Sequence, residues 1–284
     1  MPSFIAACIQ LRSGKTLSEN RDAAESLIRA AAMDGAQYIQ TPEMSNVLVR
    51  SREELLERIS GPGDDPFLSM ARSVAADLGV HLHIGSLAVL AGNGKVANRA
   101  FMIAPDGRIL ASYDKIHMFD VDLPNGESWR ESATYEPGTQ SVVLDLPLAR
   151  IGMAVCYDIR FPAIFRTQAR AGAQIVTAPA AFTRQTGEAH WHVLQRARAI
   201  ENGAFVISAA QGGVHEDGRE TYGHSLMVDP WGHVIAELDH DAPGHVLAEI
   251  DTDKVSQARG RIPAIANERE FTCRVVEGLK EEPA

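Results

Sequence analysis

Three polar side chains stand just past the ends of apolar runs: Glu43 in Thr41-Pro42-Glu43, Lys115 in Tyr113-Asp114-Lys115-Ile116-His117, and Cys156 in Ile151-Gly152-Met153-Ala154-Val155-Cys156-Tyr157-Asp158-Ile159-Arg160-Phe161-Pro162. In the last segment an apolar strand ends on a cysteine, and a helix is due within a few residues. A strand-to-helix turn exposes a side chain at the sheet edge and aims backbone N–H groups at it, which would lower a thiol pKa and favour the thiolate. The plainer reading of a free cysteine is a small buried hydrophobe, and this segment alone leaves both open. A nucleophilic thiol needs a proton acceptor and a positive charge for the oxyanion. Glu43 and Lys115 are of the right types; taken singly, each reads as a solvated loop charge. Their occurrence together with Cys156 changes that.

Histidine is the more usual base, and the chain has ten. None stands out. His81 and His83 alternate on a strand and share a face, as a satisfied surface pair would. His190 and His192 flank Trp191 at a helix start, where packing or capping is the simpler role. No third ligand at metal spacing presents itself, so no metal site is expected. Gly92-Asn93-Gly94 lacks the third glycine and the following helix of a phosphate loop, and a nucleotide enzyme is set aside.

Short β-rich runs alternate with helical patterns to position these groups. The pattern predicts strands at 4–11, 38–41 and 80–90, with helices at 18–34 (Ser18 as N-cap) and 66–78 between them. Two hairpins follow, 97–104 with 108–113 around Pro105-Asp106-Gly107, and 142–146 with 150–155 around Pro147. Helices at 162–171 and 189–202 then interleave with strands at 174–178 and 205–210. A hairpin at 225–237 and a strand at 244–251 close the pattern. The tail from Pro263 is poorly patterned. No linker or charge block divides the chain, so one domain over 1–284 is expected, with 263–284 as a tail. Helices among hairpins predict a mixed α/β fold with two packed sheets and helices outside.

A length of 284 residues allows a substantial core, and 45% hydrophobic with 23% charged residues is an ordinary globular composition. The net charge of −10 argues against a broad nucleic-acid surface. Met1–Leu11 reads as a first strand rather than a signal peptide. No apolar run approaches the roughly 20 residues that span a bilayer. Cys8, Cys156 and Cys273 are far apart and odd in number, which suits a reducing, cytoplasmic setting without disulfides.

In the order Glu, Lys, Cys, the three segments resemble the nitrilase superfamily of carbon–nitrogen hydrolases, from the Phe4 strand to Ile262-Pro263. The resemblance implies Glu43 as general base, Lys115 as oxyanion stabiliser and Cys156 as nucleophile. It also implies a second glutamate between Lys and Cys: Glu131 in Arg130-Glu131-Ser132-Ala133-Thr134-Tyr135-Glu136-Pro137-Gly138, with Glu136 as competitor. Ala178–Thr183, Thr186–Trp191, Arg196–Glu201 and Tyr222–Gly232 resemble the Nit-type branch, which holds ω-amidases and deaminated glutathione amidases; Ala209–Gln211 leans toward the latter. Thr41 stands where the family more often has an aliphatic residue, and Asn267-Glu268-Arg269-Glu270 lacks the usual basic pair.

The resemblance implies a four-layer α-β-β-α sandwich of two mixed sheets flanked by helices, pairing as a homodimer or higher oligomer. It implies cleavage of the terminal amide of a small carboxylate-bearing molecule through a thioester, with ammonia released and no cofactor required. Tyr157, Arg160 and Thr183 are the expected substrate-binding residues. Arg160, four positions after Cys156, would grip a carboxylate, unless it pairs structurally with Asp158; Arg184 is a weaker candidate. The rival readings are another activity of the superfamily, on N-carbamoyl amino acids or aliphatic amides, and a catalytically inactive binding protein.

Overall fold

The computed structural model describes residues 3–276 apart from Asn93 and Asn125; the end of the tail, 277–284, and the middle of the Gly92–Gly94 turn lie outside the described residues. The first half runs β1 (Phe4–Gln10), α1 (Leu17–Met33), β2 (Tyr38–Gln40), α2 (Arg52–Leu56), α3 (Pro66–Leu78), β3 (His81–Leu90), β4 (Val96–Ile103), β5 (Ile109–Asp114), β6 (Asp120–Asp122) and β7 (Ser128–Arg130). The second runs β8 (Val142–Asp145), β9 (Arg150–Met153), α4 (Pro162–Arg170), β10 (Ile175–Thr177), α5 (Arg184–Asn202), β11 (Phe205–Ser208), β12 (Gly212–Val214), β13 (Glu220–Tyr222), β14 (Leu226–Val228), β15 (Val234–Glu237), β16 (Gly244–Ile250) and α6 (Asp253–Arg261).

Two six-stranded mixed sheets result, in the orders β16-β1-β2-β3-β4-β5 and β15-β14-β11-β10-β9-β8. The three-strand groups β1-β2-β3 and β9-β10-β11 are parallel, and antiparallel strands flank them. Side chains alternate across a strand, so a strand covered on both faces reads as a continuous apolar run. In β1, Ala6 and Cys8 pack with Tyr38, Met102, Met153, Ile175 and Phe205 in a core between the sheets. Ala7 and Ile9 point the other way, against Ala24 and Ile28 of α1 and Phe67 and Val74 of α3. Helices α4 and α5 cover the outer face of the second sheet, completing the α-β-β-α sandwich.

Several local expectations need correction. Helix α1 starts one residue early with Thr16 as N-cap, and Ser18 lies inside its first turn. Helix α5 begins at Arg184, not at Ala189. Gly187, which reads as a breaker, sits inside it because a Cβ there would come within 2.3 Å of Tyr222. The short elements α2, β6, β7, β12, β13 and helix α6 were not expected at all. His83 is fully buried rather than on the surface, with Nδ1 2.7 Å from the Tyr38 hydroxyl. Burial pushes its pKa down to about 3, so it packs as a neutral ring.

Candidate active site

Each candidate side chain leaves the end of a strand: Glu43 follows β2, Lys115 β5, Glu131 β7 and Cys156 β9. In mixed sheets this edge is where parallel strands turn into loops and side chains converge. The Glu43 turn needs close backbone approach. Gly85 lies at an irregularity in the β3–β4 pairing, and a Cβ on it would sit 2.1 Å from the Thr41 carbonyl oxygen. Thr41, the departure from the family pattern, accepts hydrogen bonds through its hydroxyl from the Gly85 N–H at 3.2 Å and the Ser45 hydroxyl at 2.9 Å.

The Lys115 ammonium is nearly sealed from solvent, at 2% exposure. It donates to Glu43 Oε1 at 2.8 Å and to Glu131 Oε2 and Oε1 at 2.8 and 3.0 Å. Burial alone would lower its pKa, but the two carboxylates, Glu131 first, raise it well above the ordinary lysine value. For Glu43, burial pulls the pKa up, and Lys115 together with hydrogen bonds from Lys115, Cys156 and the Ala181 N–H brings it below the usual carboxylate value. That Ala181 N–H lies 2.8 Å from Glu43 Oε2. Glu131 Oε2 also takes the Phe119 N–H at 2.7 Å. Glu136, the competitor, lies elsewhere, its N–H on the Val96 carbonyl and its carboxylate 3.8 Å from Lys95.

Cys156 sits at φ 48°, a strained conformation for a residue with a Cβ, in a single 3-10 turn (Cys156–Arg160) ahead of α4. Its N–H donates to the Pro179 carbonyl at 2.9 Å. The expectation of a resting thiolate is not met. Burial first, then the charge of Glu43, pushes the thiol pKa well up, and Lys115 offsets only part of this. The thiol is thus held neutral beside the Glu43 carboxylate, a ready proton acceptor in the same cavity.

Two residues that sequence reasoning missed hold this arrangement. Asn98, buried in the middle of apolar β4, donates from Nδ2 to Glu43 Oε1 at 2.9 Å and to Glu131 Oε1 at 3.1 Å. A lone asparagine inside the run Val96–Ile103 was the available signal. Asp158 is fully buried. It does not pair with Arg160. It accepts from the Tyr113 hydroxyl, the Val155 N–H, and the N–H and Nδ1 of His117, all within 3.0 Å.

Glu43, Lys115, Glu131 and Cys156 line one cavity of about 270 Å³, with Tyr157 and Thr183 in its wall. Arg160 is not in that wall. Its guanidinium lies over the rings of Phe182 and Tyr157, which do line the cavity, and 3.2 Å from Nδ1 of His190. Arg184 is ion-paired to Asp241 at 2.7 Å. A third ligand for His192, not found in the sequence, exists in space: among the described residues, donor atoms of His192, His224 and Glu237 lie within 4.8 Å of one another. This trio could hold a metal, but it is not part of the cavity wall.

Glutamate, lysine and cysteine thus converge at the strand ends of a sandwich of two sheets. The profile of the carbon-nitrogen hydrolase family matches residues 5–260, and the chain belongs to that family. It is 38% identical over 270 residues to a deaminated glutathione amidase of Synechocystis, covering 93% of this chain and 98% of that one. It is 35% identical over 271 residues to human omega-amidase NIT2, covering 95% and 96%. Among solved structures, the Caenorhabditis elegans NitFhit protein superposes with a TM-score of 0.88 at 33% identity, covering 94% of this chain and 65% of that longer one.

Proposed function

We propose that this protein hydrolyses the terminal amide of a small carboxylate-bearing molecule, of the deaminated glutathione or α-ketoglutaramate kind, through a thioester on Cys156. The observation that carries this reading is the Lys115 ammonium held between Glu43 and Glu131, in one cavity with the Cys156 thiol. The names of the relatives above support the substrate class.

Glu43 takes the thiol proton as sulfur attacks the amide carbon. The developing oxyanion meets Lys115, a fixed charge that needs no reorganisation, and the N–H of Tyr157. The C–N bond breaks as Glu43 returns the proton, so ammonia leaves from a primary amide of the α-ketoglutaramate kind, or the amine from a substituted amide of the deaminated glutathione kind, and the acyl group stays on sulfur. Water, deprotonated by Glu43, then attacks the thioester, releasing the acid and restoring the thiol. Glu131 keeps Lys115 charged and in place, and Asn98 bridges the two carboxylates. Tyr157 and Thr183, in the cavity wall, contact the substrate, and Arg160, stacked behind the Tyr157 and Phe182 rings, holds those rings in place rather than gripping the carboxylate itself. Ammonia release, screened across keto-acid ω-amides, aliphatic amides and N-carbamoyl amino acids, tests the class. Preference for a neutral aliphatic amide would remove the carboxylate requirement.

The same reading makes the protein a cytoplasmic homodimer. Val193 and Ile200, seven residues apart on α5, are 67% and 52% exposed. That spacing puts both on one face, which a second copy would cover. Light scattering after size exclusion measures the mass directly.

A further inference from the structure

We propose that Arg50, Trp129 and Arg219 form a second anion subsite, which binds a carboxylate at the end of the substrate remote from the scissile amide. The proposal rests on the amidase reading above and narrows it to extended ω-amides that carry such a second carboxylate.

The three residues come from separate segments: Arg50 from the loop before α2, Trp129 from β7 and Arg219 from the turn before β13. All three line the cavity that holds Cys156. Both guanidinium carbons lie 4.9 Å from the Trp129 ring, close enough for the negative face of an indole to hold a cation. Asp217 answers the charge of Arg219, so it is the second cation on the ring, Arg50, that calls for an anion.

The neighbouring carboxylates are already committed. Asp217 takes Nε of Arg219 at 2.8 Å, Asp122 takes Nη2 of Arg130 at 2.9 Å, and Glu220 lies 2.9 Å from Arg184. Arg219 is thereby fixed, and its Nη2 donates to the Val49 carbonyl at 3.2 Å, tying it to the backbone beside Arg50. Among the described residues Arg50 has no carboxylate within ion-pair distance. A fixed guanidinium and an uncompensated one over a planar wall suit a ligand carboxylate, which takes parallel N–H bonds from such forks. The amide carbonyl must meanwhile reach Cys156, so the ligand is elongated, with its charge at the far end.

The test compares an ω-amide bearing a distal carboxylate with a neutral analogue carrying hydroxymethyl in its place. Wild type should favour the carboxylate by about 10- to 100-fold in kcat/KM, the range for charge-assisted hydrogen bonds. The ratio should fall to near unity in the double variant Arg50→Gln, Arg219→Gln, survive in part in Arg219→Lys, and narrow with added salt because Arg50 is exposed. A misfolded variant would lose both substrates equally and leave the ratio alone. A wild-type ratio near unity, or one unchanged in a double variant that turns over the neutral analogue at the wild-type rate, overturns the subsite. If wild type released ammonia from neither compound, the amidase reading would fall. Calorimetry on Cys156→Ala then decides the subsite separately: the distal carboxylic acid must bind more tightly than its neutral analogue, and lose that advantage when both arginines are replaced.

Discussion

The Tyr113 hydroxyl donates a 2.7 Å hydrogen bond to the Asp158 carboxylate, joining the end of β5 to the turn that carries Cys156. Lys115 lies two residues beyond Tyr113, and Asp158 two beyond Cys156. The bond therefore fixes the spacing between the ammonium and the thiol across the two sheets. Tyr113→Phe removes one donor to a buried charge. Stability should drop by about 1.5–3 kcal/mol, with a smaller loss of kcat, since Asp158 keeps its His117 and Val155 donors. An unchanged urea midpoint would show that the bond contributes nothing.

Replacing Glu131 by Gln should lower kcat by at least about 100-fold, with KM changed far less, because its work is to hold Lys115 for the transition state. A defect confined to KM would make Glu131 a binding residue. Glu136→Gln serves as the comparison, and a larger defect there would place the second carboxylate wrongly.

Asn98→Ala removes the amide that bridges Glu43 and Glu131. The fold should survive while kcat falls about 10-fold or more, as expected for a lost hydrogen bond to charged groups. Near-normal kcat would show that Lys115 alone sets the positions of both carboxylates.

Titration has a defined sign at this site. Glu43 has a folded pKa below its unfolded one, so its stabilisation is present above about pH 4.3 and is lost as pH falls through the folded value. Lys115 is raised, so its stabilisation is full below about pH 10.4 and is lost only as pH climbs through the higher folded value. Stability should thus fall on acidification more steeply in wild type than in Glu43→Gln. Alkylation of Cys156 by iodoacetamide should not rise through the ordinary thiol range near about pH 8.5, because burial and Glu43 hold the thiol protonated. A sigmoidal rise centred there would contradict the assigned surroundings.

Much of this was legible in the sequence. Helix α3 was expected over 66–78 and forms over Pro66–Leu78, because start and stop signals are local. Glu43, Lys115 and Cys156 could be named because each closes an apolar run. The contacts of Asn98 with Glu43 and Glu131, and of Asp158 with Tyr113 and His117, could not, since each joins residues more than 30 positions apart. The surface reading of His83 failed for the same reason: periodicity shows that two residues share a face, and not whether a second sheet covers it. The resting state of Cys156 also depends on burial and on Glu43, neither of which a strand-to-helix turn reveals.

The proposed function turns on covalent catalysis at Cys156. Enzyme mixed with a hydrolysable ω-amide and quenched in acid, then digested and weighed by mass spectrometry, tests it most directly. The expected result is an added acyl mass on the peptide containing Cys156, none on those containing Cys8 or Cys273, and no ammonia release by folded Cys156→Ala. Ammonia released by Cys156→Ala near the wild-type rate, or an acyl mass carried on Cys8 or Cys273 instead, would contradict it.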